Sequence, residues 1–268
     1  SPIHHAAILC MDGVGEWATT SLARRAGNTV EMQKEIFFPH SLVLLYSAFT
    51  SFCGFRINSG EYKLMGLAPF GEPAYAQLIE KKLISIRPDG SFRLNTDYFS
   101  YPHGLKMTNR KFAKLFGGPA LPLGEMPGKR ERDLAASIQK VAEKITLLAA
   151  ADLQKRTGMK NLCLGGGVSL NCVANAVLRE AGIFDNIWVS PAPGDAGSAI
   201  GCALSAWHEY LAQPRDASAE KLNHSHLGPE WSDDAIHQLL AKQGAHAQLL
   251  QEDILLQTTA SLLAKGKV

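Results

Sequence analysis

The chain has 268 residues, of which 46% are hydrophobic and 19% are charged, and its formal net charge is +2. This composition excludes an intrinsically disordered chain, and the small net charge gives no basic footprint for nucleic acid. No run reaches the roughly 18 apolar residues of a membrane span, so we expect neither a membrane nor a nucleic-acid partner.

The five cysteines are odd in number and form no Cys-x-x-Cys pair. Most lie within apolar runs, a pattern typical of reduced, buried thiols rather than of a disulfide framework. No secretory signal precedes the first apolar run. These features predict a cytoplasmic protein.

The first part of the chain is predicted to form strands and then helices. Ala6–Met11 is a short apolar run typical of a buried strand, and Thr19–Arg24 and Thr29–Phe37 flank a Gly-Asn turn. His40–Phe55 is apolar enough for a buried helix. Glu61–Ala68 predicts a short helix that ends at a proline and a glycine.

The middle of the chain predicts an irregular region and then a regular α/β layer. Residues 84–128 carry repeated Pro and Gly turn signals and are predicted to be an insertion or the loop-rich edge of a subdomain. Glu131–Lys155 keeps apolar residues three or four apart, which predicts a helix packed on a sheet. Alternating elements then favour parallel strands, namely strand Asn161–Leu164, helix Leu170–Ala181, strand Asn186–Val189 and helix Ala196–Leu211.

The last part of the chain predicts a linker and the beginning of another domain. Residues 213–230 are polar and contain two prolines. Beyond them we expect a helix at Asp233–Lys242, a strand near Ala247–Leu250 and a helix at Glu252–Lys265.

Three predicted strands end in glycine or acid, which is the most informative feature of the sequence. Glycines let backbone N–H groups approach an anion closely, and a following helix N-terminus adds partial positive charge. Carboxylates from different strand ends are suited to a hard cation. We therefore expect one crevice for a phosphorylated ligand and a cation, formed by Asp12, Gly13, Gly15, Gly165, Gly166, Gly167, Gly194 and Asp195.

Each of these residues also has a purely structural interpretation. Asp12-Gly13 is an ordinary hairpin signal, and Asp195 is a favoured helix N-cap. The Gly165–Gly167 run also suits close packing of a helix on its strand, while Asn171 fits amide contacts to a nucleotide. Lys63 offers an ammonium group to a phosphate, although most lysines are solvated surface charges.

Four motifs stand out along the chain. The first is Met-Asp-Gly-Val-Gly-Glu-Trp-Ala-Thr-Thr at 11–20, and the second is Glu-Tyr-Lys-Leu-Met-Gly-Leu-Ala-Pro-Phe-Gly at 61–71. The third is Leu-Gly-Gly-Gly-Val-Ser-Leu-Asn-Cys-Val-Ala-Asn at 164–175. The fourth is Pro-Gly-Asp-Ala-Gly-Ser-Ala-Ile-Gly-Cys-Ala at 193–203. In this order they resemble the O-carbamoyltransferase family, which includes nodulation-factor and antibiotic carbamoyltransferases of secondary metabolism.

The resemblance implies a fold and a division into domains. It implies an α/β fold, a ribonuclease-H-like lobe of the actin/sugar-kinase-type ATPase fold with a mixed sheet flanked by helices. Residues 1–212 would be the second lobe of the carbamoyl-transfer domain, and 213–268 a linker and the start of a YrdC-like carboxy-terminal domain. We expect a piece of a longer protein that needs the missing lobes of the same polypeptide and is inactive alone.

The resemblance also implies a reaction and its cofactors. Carbamoyl phosphate and ATP would give carbamoyl adenylate, whose carbamoyl group passes to a hydroxyl of a small molecule or glycoside. Family members bind iron or another divalent metal through two histidines and two aspartates, and Asp12 and Asp195 match the aspartates. The family's histidine pair lies upstream of the first motif, whereas His4 and His5 are adjacent and are not assigned as ligands.

Residue roles follow from the same match, and two alternatives stay open. Asp12 and Asp195 would be catalytic and metal-binding, while ATP or carbamoyl adenylate would contact Gly13, Gly15, Lys63, Gly165, Gly166, Gly167, Asn171 and Gly194. One alternative is a fold-related ATP-dependent kinase or tRNA threonylcarbamoyl-transfer enzyme. The other is a non-catalytic nucleotide-binding scaffold.

Overall fold

The computed structural model describes residues 1–215 and 228–267, and the chain divides into two units at 1–225 and 226–268. The strands of the described part all belong to the first unit. They are β1 (His5–Met11), β2 (Ala18–Ala26), β3 (Thr29–Phe37), β4 (Ile84–Ile86), β5 (Phe92–Leu94), β6 (Asn161–Gly165) and β7 (Asn186–Val189).

Among the α-helices of the described residues, the first seven belong to the first unit and the last two belong to the second unit. They are α1 (Leu42–Phe52), α2 (Glu61–Leu67), α3 (Ala76–Lys82), α4 (Arg110–Leu115), α5 (Lys129–Thr157), α6 (Cys172–Glu180), α7 (Asp195–Ser205), α8 (Asp233–Gln243) and α9 (Glu252–Ala264). Within the described ranges, no helix combines the length and apolar content needed to cross a bilayer.

A mixed five-stranded sheet with the order β3-β2-β1-β6-β7 forms the centre of the first unit. β1 pairs antiparallel with β2 and parallel with β6, β2 pairs antiparallel with β3, and β7 is parallel to β6. The predicted mixed α/β sheet and its parallel strands are therefore confirmed. The topology brings the carboxyl ends of β1, β6 and β7 to one edge.

The long helix α5 covers one face of this sheet. Its apolar stripe is fully buried, including Leu134, Ile138, Val141 and Ile145, because residues three or four apart fall on one side of a helix. At the start of the helix the Glu131 carboxylate accepts a hydrogen bond from the Gly128 N–H at 3.0 Å, which is one half of a capping box. The predicted helix is confirmed.

Residues 84–128 were expected to be an insertion or the edge of a subdomain, and the structure corrects this expectation. β4 and β5 form a hairpin, and the aromatic side chains after it enter the core. Phe112 and Phe116 lie 4.8 Å apart by ring centroid, and both pack on Phe49 and Phe52 of α1. The frequent turn signals predict the irregular backbone of this region but not the burial of its aromatic side chains in the core.

Smaller differences concern the later elements. The strand expected at Ala247–Leu250 is wrong, because these residues are irregular and Leu249 is 80% exposed with no strand beside it in the described second unit. The last helix of the first unit changes to a π-helix at Ala206–Tyr210. Cys172 and Cys202 are exposed rather than buried. The predicted linker falls largely on 216–227, outside the described residues.

An ion-pair network joins β3 to the β4–β5 turn and to α5. The Lys34 ammonium lies 2.7 Å from the Asp89 carboxylate and 3.0 Å from that of Asp152, which also pairs with Arg156 at 2.6 Å. The hydrogen bond from Lys34 is the main cause that lowers the pKa of Asp89. For Asp152, burial raises the pKa, but hydrogen bonds from Arg156 and Lys34 outweigh burial and lower it overall.

We expect Lys34→Met to lower the free energy of unfolding at neutral pH by about 1 kcal/mol, since the network is partly exposed. Carboxyl groups with lowered pKa values stabilise the fold above their ordinary pKa near 4, and this stabilisation is lost as the pH falls through the lowered values. The difference between wild type and variant should therefore shrink in acid. Urea unfolding across a pH series measures it, with Lys111→Met in the exposed pair with Asp97 as the matched control. Equal losses in the two variants would contradict the prediction.

Candidate functional site

Three loops meet where β1, β6 and β7 end. The first loop (12–17) follows β1, the second, glycine-rich loop (166–171) follows β6, and the third loop (190–194) follows β7. Cys10 of β1 is the register partner of Gly165 in β6, so the loops that follow are neighbours. The Gly166 N–H donates a hydrogen bond of 2.7 Å to the carbonyl of Pro193 in the third loop. The convergence predicted from the sequence is present.

The first loop is fixed through its backbone and leaves its carboxylate free. The Asp12 N–H donates to the carbonyl of Thr19 at 2.8 Å, and the Ser41 hydroxyl donates to the Asp12 carbonyl at 3.0 Å. In the described part of the chain, the Asp12 carboxylate accepts no hydrogen bond. Further along the loop, Trp17 adopts φ +86°, a strained value of a kind that clusters at functional sites.

The glycine-rich second loop packs tightly against the end of β1. Gly166 has φ +78°, and a Cβ built there would lie 2.2 Å from the carbonyl oxygen of Met11. Only glycine fits such a position. A Cβ on Gly167 would lie 3.8 Å from Oδ1 of Asp12, so this residue lies beside the carboxylate. The close-packing interpretation thus holds for Gly166, while Gly167 borders the first loop.

The third loop leads into α7. Gly194 is the N-cap residue and Asp195 is the first residue of the helix, so the interpretation of Asp195 as the N-cap is wrong. Across the described ranges the Asp195 carboxylate accepts no hydrogen bond, and the residue is exposed. Asp195 therefore carries an unengaged carboxylate at a helix N-terminus, where partial positive charge favours it.

These loops border a cleft of about 1360 Å³. The cleft runs from the strand ends along the sheet face that is opposite α5, where Ile8, Cys10 and Trp188 form its floor. Ser198 and Leu204 of α7 line it from the other side. The volume exceeds the 300 to 1,000 Å³ that is usual for small-ligand sites.

Most, but not all, of the predicted site residues line this cleft. Those that do are Asp12, Gly13, Gly15, Gly165, Gly166, Gly194 and Asp195. Gly167 and Asn171 line a smaller neighbouring cavity of about 80 Å³. Lys63 lines neither cavity, and its exposed ammonium lies 5.9 Å from the ring centroid of Tyr62.

Asn171 makes contacts that the sequence did not reveal. Its side chain accepts a hydrogen bond from the Ala174 N–H at 3.0 Å, which caps α6, and it pairs with the side chain of Gln139. Gln139 is 4% exposed although it is polar. The one indication of this contact in the sequence is that a glutamine follows Ile138 of the apolar stripe of α5.

The floor of the cleft carries no activated nucleophile at Cys10. Burial, and secondly the negative charge of Asp12, raise the pKa of the Cys10 thiol to about 11. The thiol is therefore protonated at neutral pH, and the thiolate is the reactive form.

The carboxylate groups in the cleft are of the type that binds a divalent cation, but they are too few to form a complete site. Carboxylate oxygens are hard ligands, and Asp12 and Asp195 provide two such groups. No cluster of three or more potential ligands occurs in residues 1–215 or 228–267. The described residues do not complete a metal site by themselves.

Comparison with known proteins agrees with the motifs at these loops. Residues 1–204 match the family described as the carbamoyltransferase N-terminus. The protein sll1178 of Synechocystis sp. is 52% identical over 272 residues, which cover 100% of this chain and 44% of that protein. Nodulation protein NolNO of Sinorhizobium fredii is 33% identical, with 97% of this chain and 36% of the relative covered.

A second nodulation protein gives a similar result. NolO of Bradyrhizobium diazoefficiens is 29% identical over 97% of this chain and 45% of its own length. The chain thus spans less than half the length of each of these relatives. The match to the family covers most of the chain and includes all three loops of the cleft, and we conclude that the chain belongs to the carbamoyltransferase family.

Proposed function

We propose that this chain is the carbamoyl-transferring part of an ATP-dependent O-carbamoyltransferase. The observation that carries the proposal is the meeting of Asp12, the glycine-rich loop and Asp195 at one cleft. Two unengaged carboxylates beside backbone donors suit a reaction in which a phosphate leaves and a hydroxyl loses its proton. The acceptor is a small molecule or glycoside that carries a hydroxyl group.

In the proposed reaction, another domain of the full-length protein converts carbamoyl phosphate, water and ATP into carbamoyl adenylate, phosphate and pyrophosphate. The acceptor oxygen attacks the carbamoyl carbon, a new carbon–oxygen bond forms, and the bond from that carbon to the adenylate phosphate oxygen breaks. AMP leaves with the electron pair of that bond. The hydroxyl proton passes to a carboxylate of the cleft, for which Asp12 and Asp195 are the candidates.

The loops provide the remaining interactions in this proposal. Gly167 begins a 3₁₀ turn beside Asp12, and the N-terminus of α7 follows Gly194, so both bring backbone N–H groups and partial positive charge towards the phosphate. Gly13 and Gly15 keep the first loop small next to the ligand. Lys63 and Asn171 lie away from the cleft and would contribute only indirectly.

A divalent metal, iron or similar, is part of the proposal, with Asp12 and Asp195 as two of its ligands. Further ligands must come from outside the described residues. When bound, such a metal polarises the carbamoyl carbonyl as a Lewis acid. The carboxylates themselves orient the acceptor and accept its proton.

The strand order also supports a more specific fold assignment. Three antiparallel strands followed by two parallel ones, with the site at the carboxyl ends, favour a ribonuclease-H-like lobe of the actin/sugar-kinase-type ATPase fold. We infer that residues 1–212 form the second lobe of that fold. Residues 213–268 would then be a linker and the start of a YrdC-like domain, and the other lobes would be partners within the polypeptide.

The test uses a chimera in which this chain replaces the matching segment of the Synechocystis relative. The chimera is incubated with ATP, radiolabelled carbamoyl phosphate and a panel of glycosides and polyols. We expect label in carbamate esters and an equal amount of AMP. Phosphorylated acceptors without label would instead indicate a kinase. A folded chimera that binds ATP without forming either product would indicate a scaffold.

A further inference from the structure

A pair of amide side chains, one buried (Gln139) and one half-buried (Asn171), connects α5 to the glycine-rich loop. Nδ2 of Asn171 donates to Oε1 of Gln139 at 2.9 Å, and Nε2 of Gln139 donates to Oδ1 of Asn171 at 3.1 Å. The two residues are 32 positions apart and meet face to face. Such reciprocal bonds fix the relative orientation of both side chains.

Neighbouring groups determine which way each amide points. The Ala174 N–H requires an acceptor, so Oδ1 of Asn171 must face it. The Tyr46 hydroxyl donates to Oε1 of Gln139 at 2.9 Å, and Nε2 of Gln139 also donates to Glu143 at 3.2 Å. Every polar atom of the pair is therefore engaged, which is the condition under which a buried polar group is stable.

The pair controls the loop because Asn171 ends the 3₁₀ turn that starts at Gly167. Two further bonds tie this turn together: the Ser169 hydroxyl donates to the Gly165 carbonyl at 2.7 Å, and Asn175 donates to the Ser169 carbonyl at 2.8 Å. The loop is thus held by side chains of the protein.

Packing alone does not account for a glutamine at this position. The neighbouring Ile138 and Val141 are fully buried, and an apolar residue beside them would avoid the cost of burying an amide. Besides Tyr46 and Glu143, the amide bonds Asn171 of the loop that borders Asp12, and this is its one contact with the loop. We propose that Gln139 is a positioning residue, which holds the glycine-rich loop in the geometry that its ligand requires before the ligand binds.

Gln139→Glu removes the donor and leaves the size of the side chain nearly unchanged. The new carboxylate can no longer donate to Asn171, and it faces the carboxylate of Glu143. Adding Glu143→Gln removes the repulsion and restores a hydrogen bond between positions 139 and 143. The side chain at position 139 still has no donor for Asn171, so the double variant separates the effect of the repulsion from that of the lost bond. Gln154→Glu, which makes the same charge change elsewhere on α5, is the control.

Hydrogen exchange on the ligand-free chain tests the positioning role directly. We expect Gln139→Glu to speed the exchange of loop amides at 165–171 about tenfold, which corresponds to the loss of one net hydrogen bond. The double variant should exchange more slowly than Gln139→Glu but faster than wild type, Gln154→Glu should stay near wild type, and amides in the buried part of α5 should not change. Unchanged loop exchange, or an equal increase throughout the sheet, would overturn the proposal.

The step from loop geometry to ligand affinity rests on the proposed function, and calorimetry with AMP, the adenylate part of the proposed ligand, separates the two ideas. We expect about tenfold weaker binding in Gln139→Glu and partial recovery in the double variant. If the loop becomes mobile in the variant but wild type binds no AMP, the positioning role stands and the proposed function fails. If wild type binds AMP and the variant binds it equally well despite a mobile loop, the positioning role is refuted.

Discussion

Gly166→Ala is expected to lower the free energy of unfolding by about 4 kcal/mol, while Gly117→Ala should cost only about 1 kcal/mol. The two glycines have nearly the same backbone, with φ +78° and +77°. A Cβ at Gly166 would lie 2.2 Å from the Met11 carbonyl oxygen, whereas a Cβ at Gly117 would meet nothing within 4 Å. Comparing the two variants therefore separates the loss of unfolding free energy caused by a steric clash from the loss caused by a left-handed backbone conformation.

The measurement is urea unfolding of the two variants and wild type under identical conditions. Relief of the clash requires the end of β1 or the glycine-rich loop to move, so Gly166→Ala should also weaken binding of AMP, the adenylate part of the ligand, under the proposed function. Losses of equal size at the two positions would mean that the loop is not packed against β1 as described.

Asp12→Asn and Asp195→Asn should each reduce carbamoyl transfer by at least about 100-fold in the chimera, the scale expected when one electrostatic group of a site is removed. Formation of carbamoyl adenylate, followed as release of pyrophosphate from ATP, should persist, since the proposal assigns that step to another domain. Transfer of label to the acceptor and release of pyrophosphate are followed in the same reaction.

Stability provides the internal control for these two variants. Neither carboxylate accepts a hydrogen bond within the described residues, so the free energy of unfolding of each should change by no more than about 0.5 kcal/mol. Asp185→Asn, an exposed residue outside the cleft, should alter neither stability nor transfer. Transfer at the wild-type rate in either cleft variant would remove that residue from the proposed mechanism.

The elements that the sequence predicts well are those whose signals are local. The alternation around the Gly-Asn turn identifies β2 and β3, and the apolar spacing identifies α5 almost to its ends. The crevice follows in the same way, because a parallel sheet must bring the ends of β1, β6 and β7 to one edge. No knowledge of side-chain packing is needed for that step.

The features that the sequence does not predict depend on contacts between distant residues. Phe112 belongs to a stretch dominated by turn signals, yet it packs on α1 about sixty residues earlier in the chain. The Gln139–Asn171 pair joins a helix to a loop without any local pattern. The apolar run Ala247–Leu250 resembles a strand, but a strand needs a neighbour to pair with.

The hydrogen bond from Gly166 to the Pro193 carbonyl makes two of the three loops mechanically dependent on each other. A displacement of the glycine-rich loop must either break this bond or carry the start of α7, and with it Asp195, in the same direction. The effects of substitutions in the two loops on the free energy of ligand binding should therefore not be additive. The sign of their interaction energy would reveal whether the loops move together or separate when a ligand binds.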